Sequence, residues 1–115
     1  SAGTKDLRRI IMTRNPAAYR ELERAGELEF TAAAPARIIA TLAEHGYESV
    51  AVLGGEEIFS RFQADALLTE WRITVEPRLF GAGKRLLARP ADSSLVLLEH
   101  RLLNESTLFL RYRVA

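Results

Sequence analysis

The stretch from Val50 to Phe59, VAVLGGEEIF, constrains the fold more than any other. Four apolar residues in a row, Val50 to Leu53, have the pattern of a strand covered on both faces. Gly54 and Gly55 then remove the side chains where the chain turns. Ile58, Phe59 and Phe62 follow at i, i+1 and i+4, one face of a helix that opens with two acids. Such a junction has two readings. It is a tight packing turn, or it holds a phosphate against the N–H groups of a helix start. Glu56 and Glu57 suit that helix start, but they would repel a phosphate unless they face sideways.

The rest of the chain sets this junction in an alternating pattern. Arg8 to Thr13 (RRIIMT) reads as a short strand with Ile10, Ile11 and Met12 buried. Asn15-Pro16 is a turn signal, and Pro16 suits the first position of a short helix over Ala17 to Arg24, stopped by Gly26. Glu27 to Phe30 alternates as a half-exposed strand. Pro35 opens a better helix that runs to His45 with Gly46 as its stop. After the strand Ser49 to Leu53 comes a helix from Glu56 to about Ala64.

From Thr69 the period changes to two. Trp71, Ile73, Val75, Pro77 and Leu79 alternate with Arg72, Thr74, Glu76 and Arg78, which is a long strand with one apolar and one polar face. Pro77 places its far end at an edge or a bulge. Ser94 to Leu103 and Thr107 to Val114 flank Asn104-Glu105-Ser106, the pattern of an antiparallel hairpin. Residues 1–7 read as a flexible lead-in to a single domain over 8–115. The order predicts an α/β sheet, mostly parallel with an antiparallel C-terminal edge. Ligands of such sheets bind outside the carboxyl ends of the parallel strands, where Thr13-Arg14 and Gly54-Gly55 fall.

Composition narrows the function classes. The 115 residues suffice for one modest domain. Sixteen Lys and Arg balance 15 Asp and Glu, so charge makes no case for nucleic acid or an anionic membrane surface. No apolar run approaches the roughly 20 residues that span a bilayer. The opening SAGTKDLRR has no apolar core of a signal peptide. The chain lacks cysteine, which excludes disulfides, thiolate metal sites and a Cys nucleophile. The expected location is cytoplasmic.

Few residues offer chemistry. Thr13 and Arg14 pair a hydroxyl with a guanidinium at a strand end, a combination that grips a phosphate monoester; the plainer reading is a surface arginine beside a turn. NADP carries such a group on its adenosine ribose and NAD does not. The segment PRLFGAGK (Pro77–Lys84) lacks the spacing of a phosphate-binding Walker loop and reads as a strand ending in a glycine turn. His45 falls in the last turn of a helix, where a cation is favourable. His100 reads as a strand surface residue. No metal-ligand cluster, nucleophile elbow or evident general acid or base is present.

Together these features resemble the dihydrofolate reductase-like family, and most closely the C-terminal reductase domain of bacterial bifunctional riboflavin-biosynthesis deaminase–reductases. In that family a strand ends in a Thr/Ser-Arg pair that reads the NADPH 2′-phosphate. IIMTR gives that role to Thr13 and Arg14. A later Gly-Gly turn before a helix holds the pyrophosphate, which places Gly54, Gly55, Glu56, Glu57 and Ile58 at the cofactor. TEWRITVEPRLFGAGKRLL matches a third family segment at Glu70, Pro77, Gly81 and Gly83, with Thr69 where Asp is usual.

The family's opening strand, with its Ser-x-Asp-Gly-like segment, and its Gly-Arg-x-Thr motif have no counterpart, so Arg8 falls well inside the family fold. The resemblance implies the C-terminal portion of a three-layer dihydrofolate reductase-like sheet whose N-terminal part is missing. It also implies an NADPH-dependent reductase acting on a small heterocyclic or ribosylamino-pyrimidine substrate. Alternatives are a non-catalytic nucleotide-binding or oligomerisation domain, or a fragment of a longer reductase. Unpaired strand edges would favour association, as a homodimer.

Overall fold

The computed structural model describes residues 7–115. The flexible lead-in expected over residues 1–7 lies outside them, apart from Leu7. The chain forms two compact units, one ending at Thr41 and one running from Leu42 to Ala115.

In the first unit β1 (Arg9–Met12) pairs in parallel with β2 (Leu28–Thr31). Parallel neighbours need a crossover, and a short 3-10 helix over Pro16–Leu22 lies within it. The helix expected there takes the tighter 3-10 form. Pro16 fixes its first turn, Asn15 makes no side-chain cap, and a seven-residue piece gains little from α geometry. Tyr19 stacks on Phe30 with ring centroids 5.0 Å apart, which holds this crossover to β2. The Arg8 guanidinium donates to Glu29 Oε1 at 2.7 Å. That bond holds the Glu29 carboxyl below the usual range, against partial desolvation. Ile11 is exposed, contrary to the expectation of burial. Its side chain alternates with Ile10 and Met12, so it points to the opposite face of the pair.

The helix α1 (Pro35–Glu44) begins on its proline as expected. Gly46 ends it at φ +86°, a left-handed conformation that glycine adopts without strain. Ile38 and Leu42, one turn apart, are buried along it, and Pro35 is buried at its start.

The second unit contains α2 (Glu56–Ala64) and an antiparallel sheet of β3 (Glu70–Val75), β4 (Leu95–Leu102) and β5 (Leu108–Val114), in the order β3-β5-β4. The C-terminal hairpin forms as expected. Asn104 Oδ1 accepts from the N–H groups of Ser106 and Thr107 and closes its turn. β3 stops at Val75, short of the expected Leu79, because Pro77 cannot donate to a ladder.

Two expectations fail. Ser49–Leu53 is not a strand: residues 48–54 make no backbone hydrogen bond among the described residues, and Leu53 is 86% exposed. An apolar run becomes a strand only when it pairs, and this one pairs with nothing among the described residues. The sheets are also not mostly parallel, since one parallel pair stands against two antiparallel ones.

Register sorts the second sheet into two unlike faces. Residues opposite one another share a face. Trp71, Tyr112 and Leu97 form one row; Ile73, Leu110 and His100 the next; Val75, Leu108 and Leu102 the third. The other face carries Glu70 with Arg113 and Val96, then Arg72, Arg111 and Glu99, then Thr74, Phe109 and Arg101. There Arg111 bridges Glu70 and Glu99 at 3.2 Å each, and Arg101 lies over the Phe109 ring. A bulge at Leu98 makes this sorting possible. Strict alternation would put Glu99 on the face of Leu97; the extra residue moves it beside Arg111. α2 covers the apolar face at its β3 side, where Phe59 meets Trp71 with ring centroids 5.3 Å apart, and Phe62 is only 3% exposed.

Candidate functional site

The candidate residues fall into two groups, one in each unit. Thr13 and Arg14 directly follow β1. The Thr13 N–H donates to Thr31 O at 2.9 Å, which continues the β1–β2 ladder to the strand end. Thr13 Oγ1 accepts from the Asn15 N–H at 3.2 Å and keeps its own O–H free to donate. The Arg14 guanidinium is exposed and has no ion-pair partner among the described residues. A cavity of about 530 Å³ in this unit is lined by Arg8, Ile10, Glu29, Thr31 and Arg37 among others, but not by Thr13 or Arg14.

In the second unit Gly55 is the N-cap of α2, with φ −90° and ψ −164° and no side-chain cap. The N–H groups of Glu56, Glu57 and Ile58 donate to no partner among the described residues. These are the orphan donors of a helix start, and they carry its partial positive charge.

The two glycines differ. A Cβ on Gly54 would stand 2.8 Å from the Phe59 ring, which is itself held against Trp71. Gly54 is therefore required by packing. A Cβ on Gly55 would meet nothing within 4 Å, and its backbone is ordinary extended chain. Nothing inside the described chain explains the missing side chain at Gly55.

Glu56 and Glu57 do turn sideways, onto a segment that the sequence reading missed. Glu56 Oε2 accepts from the Arg85 N–H at 3.1 Å, and both Glu57 oxygens accept from Arg89 Nη1 at 3.0 Å. Buried Ser60 Oγ accepts from the N–H groups of Ala88 and Arg89 at 2.7 and 3.2 Å. The start of α2 thus tethers the loop after Gly83 and brings Arg85 and Arg89 near its own acids. The signal was the run KRLLAR after Gly83, whose charge is opposite to that of Glu56-Glu57. These ion pairs are half exposed and each worth about 0–1 kcal/mol. They fix the direction of the carboxylates more than they add stability.

Comparison with known proteins places this geometry. The model of the RibD C-terminal domain family matches residues 3–109. A crystal structure of a candidate riboflavin biosynthesis protein from Shewanella sp. PV-4 superposes with a TM-score of 0.74 at 20% identity, over 92% of this chain and 59% of that one. A pyrimidine reductase-like protein from Corynebacterium diphtheriae superposes with a TM-score of 0.68 at 15% identity, over 92% of this chain and 50% of that one. This chain therefore spans between half and three-fifths of the solved chains it matches, and at these identities the likeness is one of fold. No curated protein matches the sequence.

Proposed function

The chain belongs to the RibD C-terminal domain family, and from that premise we propose that it is the cofactor-binding part of an NADPH-dependent reductase of the riboflavin-precursor class. When bound, NADPH supplies the hydride, and a small heterocyclic or ribosylamino-pyrimidine substrate receives it. The observation that carries this reading is Gly55. Its missing side chain opens onto empty space beside three unpartnered N–H groups at a helix start. That arrangement suits a pyrophosphate, because the backbone is approachable and the donors converge. The sideways Glu56 and Glu57 carboxylates leave only their N–H groups for this role, together with that of Ile58. In the first unit, the exposed Arg14 guanidinium and the free Thr13 hydroxyl suit the 2′-phosphate.

Calorimetric titration with NADPH and with NADH tests the reading. Arg14→Ala should weaken NADPH about 10- to 100-fold, the range of a lost charge-assisted contact, and NADH hardly at all. Equal losses for both cofactors would remove Arg14 from the 2′-phosphate role.

A second reading is a nucleotide-binding module that assembles without reducing anything. The open apolar half of the β3-β5-β4 sheet favours it. Loss of NADPH absorbance on adding a ribosylamino-pyrimidine separates the two, since only the reductase consumes cofactor.

A further inference from the structure

The cavity of about 530 Å³ in the first unit belongs to neither group of candidate residues. It lies between one face of the β1–β2 pair and one stripe of α1. Ile10 stands opposite Glu29 in the pair, and Thr31 follows two residues on, on the same face. Arg37, Ile38 and Thr41, at i, i+1 and i+4, form the stripe of α1 that faces it. A space of this volume is in the range of small-molecule sites.

Its charges do not balance. Arg8, Glu23, Glu29 and Arg37 line it. Arg8 is engaged by Glu29: Nε and Nη2 both donate to Oε1, at 3.1 and 2.7 Å, and Glu29 Oε2 accepts from the Gly26 N–H. Glu23 Oε2 accepts from the Phe30 N–H at 2.9 Å and from Arg20, a residue outside the lining, at 2.8 Å. The Phe30 N–H and Arg20 hold the Glu23 carboxyl below the usual range, so both acids are ionised and already engaged. Arg37 is left over. It is exposed and has no hydrogen-bond or ion-pair partner for its guanidinium among the described residues. Helix formation does not account for it either, because a cation in the first turn opposes the helix dipole and no acid there offsets it. Thr31 Oγ1 accepts from the Ala33 N–H at 3.0 Å and keeps its own O–H free to donate. Ile10, Ala33 and Ile38 supply apolar wall.

We infer that this cavity binds a small organic monocarboxylate with a flat apolar body. Arg37 takes the carboxylate, whose plane matches the guanidinium fork, and the Thr31 hydroxyl donates to it. The body lies in the slot between sheet and helix, against Ile10 and Ile38. A single negative charge is selected, because one cation is uncompensated and the Glu23 and Glu29 carboxylates would repel a second charge. The site stands apart from the proposed cofactor contacts, since neither Thr13 nor Arg14 lines it.

Amide chemical shifts of the whole chain, followed by NMR with benzoate as the probe, supply the test. Benzoate should bind with a dissociation constant of about 1 mM or below and shift Thr31, Ala33, Arg37 and Ile38. Benzamide has the shape without the charge, and inorganic phosphate the charge without the body; each should bind at least about 10-fold more weakly. Arg37→Gln should weaken benzoate about 10-fold and benzamide less than about 2-fold, while the same change at exposed Arg9, on the other face of β1, should alter neither. Thr31→Val should weaken benzoate about 3-fold, and gives a second readout should Arg37→Gln lose its circular dichroism. Saturating NADPH should leave the benzoate constant unchanged, whether or not NADPH itself binds. Competition by NADPH would overturn the inference, as would equal binding of benzoate and benzamide, shifts that spare these residues, or equal losses from Arg37→Gln and Arg9→Gln.

Discussion

Val50–Leu53 and Leu95–Leu98 are both runs of four apolar residues, yet only the second is a strand. Side-chain character does not separate them. Partners do. Leu95–Leu98 has β5 a short turn away, with Asn104 closing that turn through two N–H groups. Val50–Leu53 lies between two helices and has no sequence neighbour able to pair with it. A strand belongs to a pair, and a nearby hairpin partner costs far less chain entropy to bring together than a distant one.

Proline substitutions sharpen this contrast most strongly. Leu110→Pro strikes the central strand of the sheet, between Ile73 and His100. It should cost about 3 kcal/mol or more, read by urea unfolding. Val52→Pro removes an N–H that bonds to nothing among the described residues, so its cost should stay below about 1 kcal/mol. A large loss at Val52 would show that this run is paired in solution.

The adjacent glycines extend the comparison to the turn. Gly54→Ala drives a methyl into the Phe59 ring and should destabilise by about 1–3 kcal/mol. Gly55→Ala meets no atom and has no strain to relieve. It should be neutral or stabilising by up to about 1 kcal/mol, through lower entropy of the unfolded chain. The same substitution should weaken NADPH in calorimetry, because its methyl would fill the space proposed for the pyrophosphate. Unchanged affinity would reduce Gly54-Gly55 to a packing turn.

The smallest effect concerns acid. Arg111 and Arg101 hold the Glu99 carboxyl below its usual range, and Arg72 and Arg111 do the same for Glu70. Their protonation is therefore easier in the unfolded chain. The stabilisation is complete above the usual Glu value of about 4.3 and is lost as pH falls through the lowered folded values. Glu99→Gln should lower stability slightly above the usual Glu value, where the wild type carries the charge, leave the low-pH end little changed, and so flatten the acid slope. An identical acid slope would mean that the network contributes nothing there.

Much of the molecule was legible in its residues. Pro35 and Gly46 bounded α1, the two acids and the Ile58/Phe59/Phe62 spacing gave α2, and alternation around Asn104 gave the hairpin. The candidate positions Thr13-Arg14 and Gly54-Gly55 were also visible, since each is a local pattern at the end of an apolar run. These features depend on neighbours within one or two turns of chain, whose preferences add along the sequence.

Tertiary structure decided the rest. It left Val50–Leu53 unpaired and placed a bulge at Leu98 that sends Glu99 to Arg111. It set Phe59 against Gly54 while leaving Gly55 open, and it brought Arg85 and Arg89 to the acids that begin α2. Each outcome depends on which distant residue arrives alongside. Local propensity carries no record of that arrival, because the contact energy exists only once the chain has closed the loop between them.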